Sequence, residues 1–425
     1  MKLRLGMAWP YVGLLCVLIC LQSTQASTDV TDCPKTLDGK STQEITDNTG
    51  CPIAFDGKCK CGLSRYPNSP HLPDAKKRYI VNCTNTGFTN ASMLTCLPIE
   101  TEVLIFTGNR IGPLPKNVLG NTKDYDDLEI MDLSNNGITF IPGKAFHKVF
   151  NVRTLILNHN DIEISERERP RVFYGFESLE NLHLTNAFTE SVNSSFYLLS
   201  LEDIFFESDL RLLVKLHLEQ NEIYTIGRNA SIFCQLPSLN HLYLGDNRLS
   251  DMDFRLDCMP GLTYVDLQRN NINRLSSEAI STIEQFSRQS NFTIELRKNP
   301  FICDCYIWSF VSWLKSTKVV LRDSDDYKCA EGISDTLIGK TLKNLDKNQL
   351  QCPTRPVHIE EKSSSTSAVA TLSFILAFVT AILLAIVYYQ RMKIRNHVMP
   401  YYEYVTRKIG YSGLASEEAP KVVAV

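Results

Sequence analysis

No charged residue occurs between positions 368 and 389, no cysteine follows Cys352, and no catalytic signature occurs anywhere in the 425 residues. The missing signatures are G-x-S-x-G, H-E-x-x-H, the phosphate-binding loop and the dinucleotide fingerprint, so no motif places a nucleophile, a metal pair or a phosphate cradle. An enzyme is not expected, and no cofactor is implied. A basic excess is missing as well. The formal net charge is −3, and residues 5–389 hold 36 Lys/Arg against 44 Asp/Glu. An acidic chain is unsuited to nucleic acid or heparin.

The uncharged stretch at 368–389 is long enough to cross the hydrocarbon core as a helix. Tyr388 and Tyr389 close it, and Arg391, Lys393 and Arg395 follow at once, which marks the cytoplasmic side. At the other end, Lys2 and Arg4 precede an apolar run and then small and polar residues. These are the three parts of a secretory signal peptide, with cleavage expected near Ala26. An uncleaved anchor is the alternative, but the run is short for a span. The expected product is a single-pass plasma-membrane protein with its N-terminus outside.

This topology sets the redox state. Cys16 and Cys20 leave with the leader, and the remaining twelve cysteines lie between Cys33 and Cys352. An even number in an oxidising compartment argues for disulfides. Without a cysteine in the tail, palmitoylation there is excluded.

The middle of the chain repeats itself. "LEIMDLSNNGI" begins at Leu128, "VRTLILNHNDI" at Val152, "LVKLHLEQNEI" at Leu213, "LNHLYLGDNRL" at Leu239 and "LTYVDLQRNNI" at Leu262. Each fits L-x-x-L-x-L-x-x-N-x-L, the leucine-rich repeat pattern. In L-x-L the two leucines face inward from a short strand and the residue between them faces out. The Asn turns back inward, where its amide can pair with backbone groups that burial would otherwise strand. The expected Asn ladder is Asn109, Asn136, Asn160, Asn221, Asn247, Asn270 and Asn299. The gap between Asn160 and Asn221 must hold a further turn. "LENLHLTNAFT" from Leu179 supplies its leucines, with Ala187 in place of Asn. A bulging loop, and a break dividing the array in two, are expected around 165–210.

The open ends of such a solenoid need caps. At the C-terminal end "NPFICDCYIW" closes the last turn, with Cys303–Cys329 and Cys305–Cys352 as the expected pairs and Trp308 and Trp313 over the last leucines. A zinc site is the alternative for Cys-x-Cys, which the oxidising compartment disfavours. At the N-terminal end the expected pairs are Cys51–Cys61 and Cys59–Cys83; whether Cys33 and Cys96 join each other is left open. Cys234 and Cys258 lie one repeat apart, so a staple between neighbouring turns is expected, with two free buried thiols as the alternative. Sequons occur at Asn82, Asn90, Asn193, Asn229 and Asn291, and that compartment makes them glycan acceptors.

The expected fold is an α/β-type leucine-rich repeat solenoid with short parallel strands on the concave face, disulfide-bonded N- and C-terminal caps, and one transmembrane helix. Its parts are a signal peptide (1–26), an N-terminal cap (27–98), seven to eight repeats (99–299), a C-terminal cap (300–353), a stalk (354–367), the span (368–389) and a tail (390–425).

"LRKNPFICDCYIWSFVSWLKSTKVV", "TLILNHNDIEISERERPRVFYGFE" and "LIFTGN" resemble the trophoblast glycoprotein, or Wnt-activated inhibitory factor, family. The likeness runs roughly from Cys51 to Tyr404. It departs in the extension from Cys33 to Cys51 and in wider cysteine spacing of the first cap. The resemblance implies a cell-surface glycoprotein that dampens β-catenin-dependent Wnt signalling by altering trafficking of a Wnt co-receptor, with effects on adhesion and migration.

The outward row of the repeats reads Ile105, Asp132, Ile156, His183, His217, Tyr243, Asp266 and Glu295, with His241 and Tyr264 one column in. Aromatic and His residues gathered on one face are candidate protein-contact anchors; an ordinary solvated face is the alternative. Ile105 and Ile156 are expected to be exposed, as an N-terminal contact patch, and the C-terminal end of the row to be acidic. No carboxylate stands at a fixed spacing from the histidines, so no metal is expected. In the tail, Tyr411 and Leu414 have the form read by endocytic adaptors, and Val423 and Val425 suit strand addition in a PDZ groove. Two functions fit this scaffold. One is a modulator of signalling receptors, with Wnt receptor components as partners by resemblance. The other is an adhesion or guidance receptor for a partner on another cell.

Overall fold

The computed structural model describes residues 33, 50–66, 76–163, 171–189, 194–227, 230–350, 379, 382–386 and 388–389. The solenoid belongs to the first of two units, Met1–Cys352; Pro353–Val425 is the second.

A hairpin opens the solenoid. Lys60–Arg65 (β1) pairs antiparallel with Lys77–Asn82 (β2). Eight three-residue strands then add in parallel, one per turn: Val103–Ile105 (β3), Ile130–Asp132 (β4), Thr154–Ile156 (β5), Asn181–His183 (β6), Lys215–His217 (β7), His241–Tyr243 (β8), Tyr264–Asp266 (β9) and Thr293–Glu295 (β10). After Phe301–Cys303 (β11), Val320–Arg322 (β12) joins β10 and completes an eleven-stranded sheet among the described residues. β11 pairs separately with Cys329–Gly332 (β13).

The leucine positions form the core. Leu128, Met131, Leu133 and Ile138 of one turn are fully buried, as are Leu239, Leu242, Leu244 and Leu249 of another. Each such side chain contributes about 1.5–3 kcal/mol through loss of water contact. The Asn ladder joins the turns. Asn160 Oδ1 accepts from the backbone N–H groups of Asn136 and Ile138 at 3.1 and 3.0 Å, and Nδ2 donates to the carbonyls of Leu133 and Leu157 at 3.1 and 2.8 Å. One amide therefore satisfies four backbone groups in two turns, none of which can reach water.

The region expected to break does not divide the sheet. His183 pairs with His217 in register, and so does Asn181 with Lys215. The extra residues instead form a helix, Ser194–Ser208 (α1), that returns Leu198, Leu201, Ile204 and Phe205 to the core. At Ala187, where the ladder Asn is missing, the Ile162 N–H donates to the Ala187 carbonyl at 2.9 Å, as the Ile111 N–H does to the Asn136 carbonyl at 3.0 Å, and Ile162 and Phe188 form an isolated parallel bridge. Two later helices are Ser277–Ser287 (α2) and Trp308–Ser316 (α3).

Disulfides close the ends. Cys33–Cys96, Cys51–Cys61 and Cys59–Cys83 lie in the N-terminal cap and Cys303–Cys329 in the C-terminal one. Cys305 is also disulfide-bonded, and Cys352 lies outside the described residues. Cys234–Cys258 joins neighbouring turns with Cα atoms 5.1 Å apart. Phe301, Phe310, Val311 and Tyr327 plug the last turn, with Trp313 donating to Glu284 Oε1 at 2.6 Å. Trp308 is only half-buried.

Among the described residues no helix is long and apolar enough to cross a membrane. The expected span at 368–389 lies largely outside them; residues 379, 382–386 and 388–389 are helical and exposed. The expected leader at 1–26, the stalk, and Tyr411, Leu414, Val423 and Val425 also fall outside.

Candidate binding surface

Strand registers align Asn82, Ile105, Asp132, Ile156, His183, His217, Tyr243, Asp266, Glu295 and Arg322 into one continuous row across the concave face. Beside it runs a second row in which Lys215, His241 and Tyr264 are neighbours.

The centre of the first row is a stack of rings. His183 and His217 have centroids 4.1 Å apart at 10°, and His217 and Tyr243 are 4.1 Å apart at 6°. Strands about 4.8 Å apart bring successive side chains to this separation, so the repeat itself builds the stack. Tyr264 packs against Tyr243 at 5.6 Å and against His241 at 5.8 Å. All five residues are half-buried. The result is a rigid aromatic surface whose ring atoms reach solvent.

Fixed polar contacts hold this surface. His217 Nδ1 lies 3.0 Å from Glu219 Oε1, and Glu219 Oε2 accepts from Thr185 Oγ1 at 2.9 Å. His241 is held below the usual imidazole range by burial and then by Lys215 and His217, and its Nδ1 is buried without a hydrogen-bond partner. Burial, followed by the Asp266 charge, pushes the Tyr264 phenol up to about 12. Tyr243 is raised chiefly by burial as well. At neutral pH the Tyr243 and Tyr264 phenols and the His241 imidazole are therefore neutral, with Lys215 beside His241 at the margin.

Both ends of the row differ from expectation. Asp266 and Glu295 do not form an exposed acidic end; they are 5% and 1% exposed. Asp266 accepts from Gln268 N and Nε2 at 2.8 and 2.9 Å. Glu295 Oε1 accepts from Arg297 N and Nε at 2.9 and 3.1 Å, and Arg322 Nε stands 3.8 Å from Oε2. Arg322 was not anticipated by the repeat pattern. It reaches the row because the cap strand β12 adds to the sheet, and β12 lacks the repeat pattern.

At the other end Ile105 and Ile156 are half-buried rather than free. Ile80, Val103 and Ile130 form a separate apolar cluster on this face, and Tyr66 packs on it beside Ile105. Tyr66, which follows the first hairpin strand, and Ile105 thus pack on the same cluster. Arg78, 4% exposed, bridges Glu102 and Glu129 at 3.1 and 2.7 Å along the same margin.

Of the sequons, Asn82 lies half-buried on β2, with Thr84 N and Oγ1 donating to its Oδ1. Asn90 is exposed in a turn that Ser92 closes, and Asn291 is exposed just before β10. Asn193 and Asn229 fall outside the described residues. Among the described residues, no three His, Cys, Asp or Glu side chains converge as a metal site requires.

The leucine-rich repeat family model matches residues 126–187. Trophoblast glycoprotein of Macaca fascicularis is 26% identical over 77% of this chain and 78% of its own length. The Mus musculus protein is 28% identical over 74% of each. The crystal structure of human trophoblast glycoprotein, also Wnt-activated inhibitory factor 1, superposes with a TM-score of 0.55 at 24% identity, covering 64% of this chain and 94% of that one. The chain is thus a leucine-rich repeat solenoid with disulfide-bonded caps, homologous to the trophoblast glycoproteins.

Proposed function

We propose that this chain is a single-pass cell-surface receptor-type glycoprotein whose concave face binds a protein partner. We further propose that it dampens β-catenin-dependent Wnt signalling by changing how receptor components are trafficked. The stacked His183–His217–Tyr243 surface, at the centre of an uninterrupted sheet, carries the binding part of the reading. Rigid, half-buried rings lose little conformational entropy on contact and contribute large contact area, as interface anchors do. The Wnt part rests on homology to trophoblast glycoprotein, one form of which bears the name Wnt-activated inhibitory factor. The membrane part rests on the uncharged stretch at 368–389 and the basic residues after it.

In the tail, Tyr411 and Leu414 would serve an endocytic adaptor, and Val423 and Val425 a PDZ groove. The test is a β-catenin reporter response to added Wnt, with the full chain and with a chain ending after Arg395. Suppression by the full chain supports the reading, and its loss on truncation assigns the trafficking step to the tail. No suppression by the full chain rejects the Wnt reading and favours adhesion to a partner on another cell.

A further inference from the structure

Thr293 opens β10 and Asn291 stands two residues before it. With Tyr243, His241, Tyr264 and Arg322 they line one shallow depression of about 290 Å³. Asn291 itself is exposed, and Asn291–Phe292–Thr293 is a complete sequon. Thr293 is the direct strand neighbour of Tyr264. Asn291 is therefore one strand over and two residues along from Tyr264, with their backbones about 8 Å apart. The first two sugars of an N-linked glycan span that separation.

We propose that an N-linked glycan on Asn291 lies in this depression, with its core N-acetylglucosamine units against Tyr264 and Tyr243. The transfer forms a bond from the Asn291 amide nitrogen to the anomeric carbon of a lipid-diphosphate-linked oligosaccharide, breaks that carbon's bond to the diphosphate oxygen, and releases the lipid diphosphate and the amide proton. It acts on the growing chain, before the concave face forms, so the folded position of Asn291 does not prevent it. One face of Tyr243 lies on His217 and Arg322 stands 5.9 Å over the Tyr264 ring, so the solvent-facing edges of the two tyrosines offer apolar area to the C–H groups of a pyranose, and Arg322 offers donors to its hydroxyls. The chain thus fills its own C-terminal depression. Protein docking is then confined to the side of the stack that carries His183 and His217. This inference rests on the secretory topology proposed above.

The test uses the full chain expressed in vertebrate cells and purified in detergent, with glycopeptide mass analysis and hydroxyl-radical labelling. Asn291 is expected to carry a glycan. Labelling of Tyr264 and Tyr243 should rise several-fold in Asn291→Gln and in Thr293→Ala, and stay near the native level in Thr293→Ser, which keeps the sequon. Tyr306, 70% exposed on the cap, should not change in any variant. A bare Asn291 in a chain glycosylated at Asn82 or Asn90 overturns this inference alone. Equal labelling of Tyr264 with and without the glycan also overturns it. A chain with no glycan at any sequon overturns the secretory reading and this inference with it.

Discussion

The imidazole of His217 lies flat against the ring of Tyr243, with centroids 4.1 Å apart at 6°, while its Nδ1 faces Glu219 at 3.0 Å. The stack and the carboxylate together fix one rotamer of a side chain that would otherwise move freely. A docking partner meets a surface already ordered. His217→Ala should weaken partner-dependent activity by an amount typical of a central interface anchor, about 2 kcal/mol or 30-fold. The thermal midpoint should move little, since the ring supports no core leucine. An equal loss of stability and activity would mark His217 as structural.

The ladder makes a stability prediction. Asn160→Ala removes the acceptor for two backbone N–H groups and the donor to two carbonyls, all buried. The expected cost is about 2–4 kcal/mol, seen as a lower denaturation midpoint. Asn151→Ala, which removes one exposed bond to the Asp126 carbonyl, should shift it far less.

The staple between turns makes another. Removing Cys234–Cys258 by double substitution to Ser frees a loop of 24 residues in the unfolded chain. A loss of about 3 kcal/mol is expected, read from denaturation under oxidising conditions. The reducing agent that lowers the native midpoint should leave the variant less affected.

Acidity should act in opposite directions at two sites. Burial raises the Asp266 carboxyl above its ordinary value, despite the hydrogen bonds from Gln268. The folded state then binds the proton more readily, so this group's contribution grows as pH falls from the raised value to the ordinary one. Burial and Lys215 lower His241. Its contribution is fully present above the ordinary imidazole value and is lost as pH falls through it towards the lowered one. Asp266→Asn should flatten the first dependence and His241→Gln the second, in stability measured against pH. Unchanged profiles would contradict the assigned environments.

Much of this was legible in the leucines. Leu128, Met131 and Leu133 repeat at a spacing only a stacked turn can satisfy, and Asn160 sits where a buried amide is needed. The row His183, His217, Tyr243 followed from the same period. Periodicity could not say what lies on the face. Tyr66, from outside the repeats, packs with Ile105 on the Ile80, Val103 and Ile130 cluster. Asp266 and Glu295 are closed off by Gln268, Arg297 and Arg322, and Arg322 comes from a cap strand without the repeat pattern. Around 165–210 the irregular spacing was legible, but the strand pairing that persists through it was not. A 15-residue helix absorbs the insertion while the two flanking strands keep their register.

The most direct test of the concave surface is the β-catenin reporter with His183→Ala/His217→Ala, compared with the native chain at equal surface amount. Loss of Wnt suppression with an unchanged thermal midpoint is the expected result. Full suppression by a properly folded double variant would contradict the assignment of binding to this face.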